Sequence, residues 1–307
     1  MRASAPAKLF LIGEYAVLEG APAAVAALQQ RAVVDIRPDP AESVEIITDQ
    51  REVMNLSEAL VNQPLLAAVV ASLGEASELT GHSLLLDTSA FFMEGRKLGL
   101  GSSAALTTAL VKALRPDLAT AELMQLADRA HLAFQGGQGS GADIAVAALD
   151  ASIRFQREQT PTPLQLPSDL HMLAIWTGVS ASTRVYLEQL ARWRAAKPSA
   201  CERHMARLRG VAERFFEVSG TDAVLQLIAE YDRYLNEFSQ DSSLNFYNEP
   251  HIALRKEVES ARCLYKPSGA GGGDFGIAFS ADKNDIDNLA EAMKKQERIA
   301  FRIDRSV

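Results

Sequence analysis

Residues 99–105 read GLGSSAA and lead directly into LTTALVKAL, a run with helical periodicity. At a helix start the backbone N–H groups are left unpaired, glycine lets the chain curve closely around a ligand, and serine oxygens here stand beside both. The stretch therefore reads as a phosphate-binding loop. It is not the familiar P-loop, which needs GxxxxGK[ST], because no lysine follows. The competing reading is a capped helix behind a tight glycine turn, which explains one glycine and one serine. A second loop, KPSGAGGGDFG over residues 266–276, carries five glycines and one lysine. That density is entropically costly, and such loops persist where the backbone must pass close to something. Two distant parts of the chain thus read as ligand-contacting loops, and a nucleotide is the expected ligand.

Around these loops lie 307 residues, 48% of them hydrophobic, enough for two domains with a real core. Thirty-one basic against 39 acidic residues give a net charge of −8. That balance disfavours nucleic acid or an anionic membrane as the main partner and still permits a local basic pocket for a small anion. Cys201 and Cys263 stand far apart without CxxC spacing, so neither a disulfide framework nor a zinc knuckle is supported, and a reducing cytoplasm is the expected setting. The apolar run in MRASAPAKLFLIGEYAV is broken by Gly13 and Glu14, and no stretch reaches about 18 unbroken apolar residues. Neither secretion nor a membrane span is predicted.

Periodicity predicts strands over 8–12, 23–28, 31–37, 44–48 and 82–86, and one helix over 57–73. Residues 88–98 read as a loop, followed by helices over about 102–114, 121–134 and 142–149. The polar, proline-containing passage REQTPTPLQLPSD at 157–169 sets a domain boundary, giving domains 1–160 and 161–307. Beyond it come a strand near 171–176, several helices to about 258, strands over 261–265 and 275–279, a helix over 285–295 and a last strand near 298–303. Successive early strands with later helices suit an α+β fold better than a doubly wound sheet.

Several residues beside the loops could carry chemistry. Asp143, in QGGQGSGADIA, either serves the helix dipole or contacts a substrate hydroxyl. Lys8, in an otherwise apolar strand, either faces water from an edge strand or stabilises that carboxylate opposite it. Glu14 and Tyr15 follow the Gly13 turn, and Glu14 can equally cap a backbone amide. Arg96 and Lys97 put positive charge just before the first loop, as solvated surface or as an anion-holding pair. In TGVSAST, Ser180, Ser182 and Thr183 offer more hydroxyls than one helix cap needs. Lys266, Ser268 and the amides of Gly269, Ala270 and Gly271 could cover a phosphoryl group, while Asp274 either assists or fixes the return into the strand. His131, in ADRAHLAF, has no partner at metal-ligand spacing and reads as a partly buried helix histidine. The five histidines are scattered, so no histidine metal site is assigned.

PAKLFLIGEYAVLEG, KLGLGSSAA and KPSGAGGGDFG resemble, in order, the three motifs of the GHMP small-molecule kinases, and with SGAD they span nearly the whole chain. GRKLGLGSSAA, QGGQGSGADIA, WTGVSAST and KPSGAGGGDFGI are most similar to the wording of the phosphomevalonate kinases within that family. The resemblance implies an amino-terminal lobe like the second domain of ribosomal protein S5 and a ferredoxin-like carboxy-terminal lobe. It implies phosphoryl transfer from ATP, with Mg2+, to mevalonate 5-phosphate in isoprenoid biosynthesis, the small-molecule substrate being the partner of a monomer or homodimer. By the same resemblance Lys8 and Asp143 take the places of the charged catalytic pair. Lys97, Gly99, Leu100, Gly101, Ser102, Ser103 and Ala104 belong to the nucleotide loop, with Ser102 or Ser103 on the metal. Phosphomevalonate would be held by Lys8, Glu14, Tyr15, Arg96, Gly139, Ser140, Asp143, Ser180, Ser182, Thr183, Lys266, Ser268, Gly269, Ala270 and Gly271. Glu122 stands too early in its helix to match the magnesium-binding glutamate of mevalonate kinases. Mevalonate kinase or another family member is the alternative enzyme. The related diphosphomevalonate decarboxylases resemble members lacking the first-motif lysine, against which Lys8 argues. A silent nucleotide-binding regulatory protein would keep the glycines and lose the Lys8 and Asp143 pair.

Overall fold

The computed structural model describes residues 1–74, 79–137 and 139–304. The described chain divides into two compact units, one of Met1–Lys8 with Ala27–Ala151, the other of Leu9–Ala26 with residues 152–304. Two strands cross the division, β1 (Arg2–Ile12) and β2 (Ala23–Pro38). β2 is one 16-residue strand where alternation predicts two. No glycine or proline interrupts it before Pro38, and polar Gln29, Gln30 and Arg31 do not by themselves stop a paired strand.

In the first unit β3 (Ser43–Ile47) and β4 (Arg51–Asn55) form an antiparallel pair, β3 runs parallel to β5 (His82–Asp87), and β5 pairs antiparallel with Val33–Pro38 of β2. The sheet is therefore mixed. The helix expected over 57–73 is two, α1 (Leu56–Asn62) and α2 (Pro64–Leu73), bent by 103°. Pro64 has no N–H for the helix ladder and forces Gln63 out of helical space, to φ −114° and ψ 89°. Within the expected loop of 88–98 a hairpin forms from β6 (Phe92–Met93) and β7 (Arg96–Lys97).

Helices α3 (Ser102–Leu114), α4 (Thr120–Gln135) and α5 (Ala142–Leu149) fall within a residue of expectation. α3 packs against α2, α4 and α5 and is buried on almost every side, because Ala104, Ala105, Ala109 and Ala113 let its neighbours approach closely. A wholly buried side chain such as Leu110 adds about 1.5–3 kcal/mol to that packing. The start of α3, and with it GLGSSAA, is held by a helix that has little freedom to shift.

In the second unit Ala23–Val25 of β2 pair with β8 (Ile153–Phe155), which pairs with β9 (Thr162–Pro163). A separate antiparallel sheet is made from β10 (His171–Trp176), β11 (Leu264–Pro267), β12 (Phe275–Ser280) and β13 (Ala300–Arg302), in the order β11-β12-β10-β13. The intervening chain supplies α6 (Thr183–Ala196), α7 (Pro198–Phe215), α8 (Thr221–Ser242) and α9 (Glu249–Ser260), and α10 (Lys283–Lys295) precedes β13. One core joins Leu173 and Ile175 of β10 to Leu254 and Val258 of α9 and to Ile286, Leu289 and Met293 of α10. Among the described residues no single helix is long and apolar enough to cross a membrane. The α+β expectation holds in both units.

Candidate active site

In the first unit the backbone N–H of Lys8 donates to the Leu100 carbonyl (3.0 Å), which fastens β1 to the GLGSSAA loop. The Lys8 side chain then lies 3.3 Å (Nζ to Oδ1) from Asp143. Asp143 sits in the first turn of α5, behind Gly141 at φ +83°. Ser140 Oγ accepts from the Ala142 N–H, and Gly139, at φ +144°, would bring a Cβ to 3.1 Å from Gln135 Oε1. Within this segment Gln138 lies outside the described residues. The Lys8 and Asp143 side chains are only 15% and 29% exposed. A partly exposed ion pair of this kind contributes about 0–1 kcal/mol to stability, so stability alone gives little reason for it.

Gly101 is the N-cap of α3, at φ +82° and with no side-chain cap. A Cβ there would lie 3.2 Å from Lys8 Cε and 3.5 Å from Asp143 Oδ2. The missing side chain lets Lys8 and Asp143 approach the positive end of α3 closely. The open amides of the helix start and the Lys8 ammonium beside them suit an anionic phosphate. Ser102 is buried at the first helical position, and Ser103 Oγ is 3.0 Å from His131 Nε2 on α4. Burial pushes the His131 imidazolium down from its ordinary range, with Asp143 and Asp128 acting in the opposite direction.

Among the described residues no group of three His, Cys, Asp or Glu side chains is placed to hold a metal. Glu122 is exposed and accepts from the Ala119 N–H (3.2 Å), capping α4 rather than approaching α3. A magnesium ion would draw on a serine hydroxyl, Asp143 and ligand phosphates, a donor set that suits an ion which keeps its waters and takes one or two carboxylates. Arg96 and Lys97 are exposed on the β6–β7 hairpin that precedes the loop.

The second unit holds the other expected residues. Lys266 and Glu14 are both buried and paired, and Lys266 Nζ also donates to the Pro267 carbonyl (2.7 Å). Burial raises the Glu14 carboxyl above its usual range, opposed by Lys266. Tyr15, at φ +61°, stacks on Phe246 with ring centroids 4.6 Å apart and donates its hydroxyl to the Ala270 carbonyl (2.5 Å). Ser268 Oγ donates to the Phe10 carbonyl (2.9 Å).

Three consecutive glycines of this loop are required by protein neighbours. A Cβ on Gly271 would lie 2.8 Å from Phe246 Cβ, one on Gly272 would overlap the Tyr186 hydroxyl at 1.5 Å, and one on Gly273 would reach 2.7 Å from the Val179 carbonyl. Asp274 accepts from the Ala181 N–H (3.1 Å) and its own N–H donates to Val179 O (2.7 Å), which ties the loop to TGVSAST. Ser180, Ser182 and Thr183 are exposed along that turn and the start of α6. His251, fully buried, contacts the Tyr265 hydroxyl through Nδ1 (2.7 Å) and the Gly273 carbonyl through Nε2 (3.0 Å). Sequence reasoning missed His251 and Tyr186 and set His131 aside. Each lies on a helix far along the chain from the loop it touches, so local spacing carries no signal of the contact.

Residues 93–151 match the model of the GHMP kinase N-terminal domain. The phosphomevalonate kinase of Streptomyces sp. (strain CL190) is 29% identical over 332 residues, covering 90% of this chain and 88% of that protein. The mevalonate kinase of Thermococcus gammatolerans is 28% identical over 240 residues, covering 72% and 70%. A Lin0012 protein from Listeria innocua superposes with TM-score 0.83 at 22% identity, over 98% of this chain and 96% of that one. The Methanococcus jannaschii mevalonate kinase does so with TM-score 0.76 at 17% identity, over 98% and 97%. The fold is that of the GHMP kinases, with a mixed sheet in the amino-terminal lobe and an antiparallel sheet in the carboxy-terminal one. The chain is similar to members of the GHMP small-molecule kinase superfamily, to mevalonate and phosphomevalonate kinases alike.

Proposed function

We propose that this chain is an ATP-dependent small-molecule kinase of the mevalonate pathway whose acceptor is phosphomevalonate. The observation that carries the reading is the Lys8–Asp143 pair set close against Gly101 at the start of α3. Mg-ATP, when bound, supplies the transferable γ-phosphoryl group. The amides of residues 101–104 would hold its phosphates, with the Ser102 hydroxyl and Asp143 available to the metal, the Ser103 hydroxyl being bonded to His131. Asp143 orients the acceptor and balances charge; a phosphate acceptor is already largely ionised near neutral pH, so removal of a proton is not its main task. Lys8 holds Asp143 in place and offsets negative charge as it shifts during transfer.

Arg96 and Lys97 favour a phosphorylated acceptor, since their cationic groups immediately precede the nucleotide loop. The 29% identity to the Streptomyces phosphomevalonate kinase over most of both chains supports the same choice. Mevalonate kinase is the second reading, favoured by the 28% identity to the Thermococcus mevalonate kinase. The pair Glu14 and Lys266 is internal to the second unit, and we assign it to holding the glycine loop rather than to touching substrate. The test is ADP release with Mg-ATP and, in parallel, phosphomevalonate, mevalonate or mevalonate diphosphate, with carbon dioxide recorded. Turnover on phosphomevalonate alone, without carbon dioxide, is expected; turnover on mevalonate alone would give the second reading, and carbon dioxide release would reject both.

A further inference from the structure

We propose that His131 is a positioning residue for the nucleotide loop, fixing the Ser103 hydroxyl so that the adjacent serines at the start of α3 are not equivalent; this rests on the kinase reading above. His131 is buried on α4, in a face shared with Ala127 and Ala130, and its Nε2 lies 3.0 Å from Ser103 Oγ. A serine at the second position of a helix is otherwise free to rotate among its χ1 wells. The ring holds it in one of them in either tautomer, with the imidazole N–H donating to Oγ or the hydroxyl donating to the ring nitrogen. Ser102, by contrast, carries no side-chain hydrogen bond among the described residues. One hydroxyl is thus committed to α4 and the other is left for a ligand.

The rest of the loop makes such precision useful. Lys8, whose N–H is bonded to Leu100 O, and Asp143 both stand against Gly101, and His131 holds Ser103 two positions further along. Besides packing on α3, α4 is thereby joined to the helix start by a partly buried contact 28 residues apart in sequence. His131 acts through Ser103 and is not assigned contact with substrate.

The experiment is a double-mutant cycle on His131→Phe and Ser103→Ala, with His131→Gln as the conservative variant. Affinity for a non-hydrolysable ATP analogue is read by calorimetry with and without magnesium, beside kcat and the acceptor KM. Each single variant should lose about tenfold in nucleotide affinity or kcat, the upper scale of one partly buried hydrogen bond. The double variant should be no worse than either single one, the acceptor KM should stay within about twofold, and His131→Gln should recover most of the loss. Multiplying losses, an unchanged His131→Phe enzyme, or no rescue by Gln would overturn the proposal. Should His131→Phe fail to fold, His131→Ala, which likewise removes the ring nitrogen, carries the same cycle. A wild-type chain that binds no nucleotide would overturn the kinase reading and this proposal together, whereas multiplied losses in a nucleotide-binding wild type would overturn this proposal alone.

Discussion

Lys266 and Glu14 form an ion pair from which water is excluded, with side chains 0% and 1% exposed. The Glu14 carbonyl also accepts from the Tyr231 hydroxyl (2.6 Å), so the turn after β1 is held to α8 as well as to β11. Taking away one charge from such a pair strands the other without solvent. Lys266→Met should therefore cost about 3–5 kcal/mol in denaturant unfolding. Adding Glu14→Gln should return part of that loss, because no carboxylate is then left unpaired. A single variant within about 1 kcal/mol of wild type would show that water reaches the pair.

Asp143→Asn and Lys8→Met should act on turnover and hardly on stability. The loss in kcat should be about 10²–10⁴-fold for each, with nucleotide affinity little changed. Unfolding free energies should stay within about 1 kcal/mol of wild type, since the pair is partly exposed. Near-normal turnover in Asp143→Asn would remove its catalytic assignment.

Gly269 and Gly272 have almost the same backbone, at φ +78° and +70°, and opposite surroundings. A Cβ on Gly269 meets nothing within 4 Å, whereas one on Gly272 overlaps the Tyr186 hydroxyl. Gly269→Ala should cost only the left-handed backbone, about 1 kcal/mol, and Gly272→Ala about 1–3 kcal/mol more. Tyr186→Ala added to Gly272→Ala should recover the steric part alone, as measured by thermal unfolding. Equal losses at the two glycines would show that Tyr186 swings away freely.

Burial lowers the His251 imidazole from 6.5 to about 4. Between these values the unfolded chain binds a proton that the folded one refuses, so stability rises with pH across that window. The contribution is complete above about pH 6.5 and is lost as pH falls toward 4, at about 1.4 kcal/mol per pH unit at most. His251→Gln should flatten this acid limb of the unfolding profile. An acid limb of unchanged slope in the variant would place its origin in other groups.

Arg96→Ala and Lys97→Ala should weaken phosphomevalonate binding more than nucleotide binding, and added salt should narrow the difference. Titration calorimetry on both ligands checks this. Equal affinities in the variants and the wild type would return the β6–β7 hairpin to surface charge.

Helix boundaries from Ser102 to Leu149 were readable because apolar spacing and glycine punctuation agree there. The break before Pro64 was readable in principle, since the residue before a proline avoids helical space, but the apolar stripe LLAAVVASL outweighs it when periodicity alone is followed. The unbroken β2 was not readable, because Gln29, Gln30 and Arg31 look like a turn until β5 and β8 supply partners for the strand. At the site, the residue types of the Lys8 and Asp143 pair are plain in the sequence, and their 3.3 Å approach is not.

The sequence by itself determined where the chain must bend and where helix amides are left open, because glycine, proline and the 3.6-residue period act through neighbours along the chain. Tertiary structure alone decided what each polar group faces. It gave Lys266 to Glu14, Ser103 to His131, and the three consecutive glycines of the second loop to Phe246, Tyr186 and Val179. These partners are separated by 25 residues or more, Gly271 and Phe246 being the nearest in sequence, and the energy that selects them comes from burial and close approach, which sequence spacing does not encode.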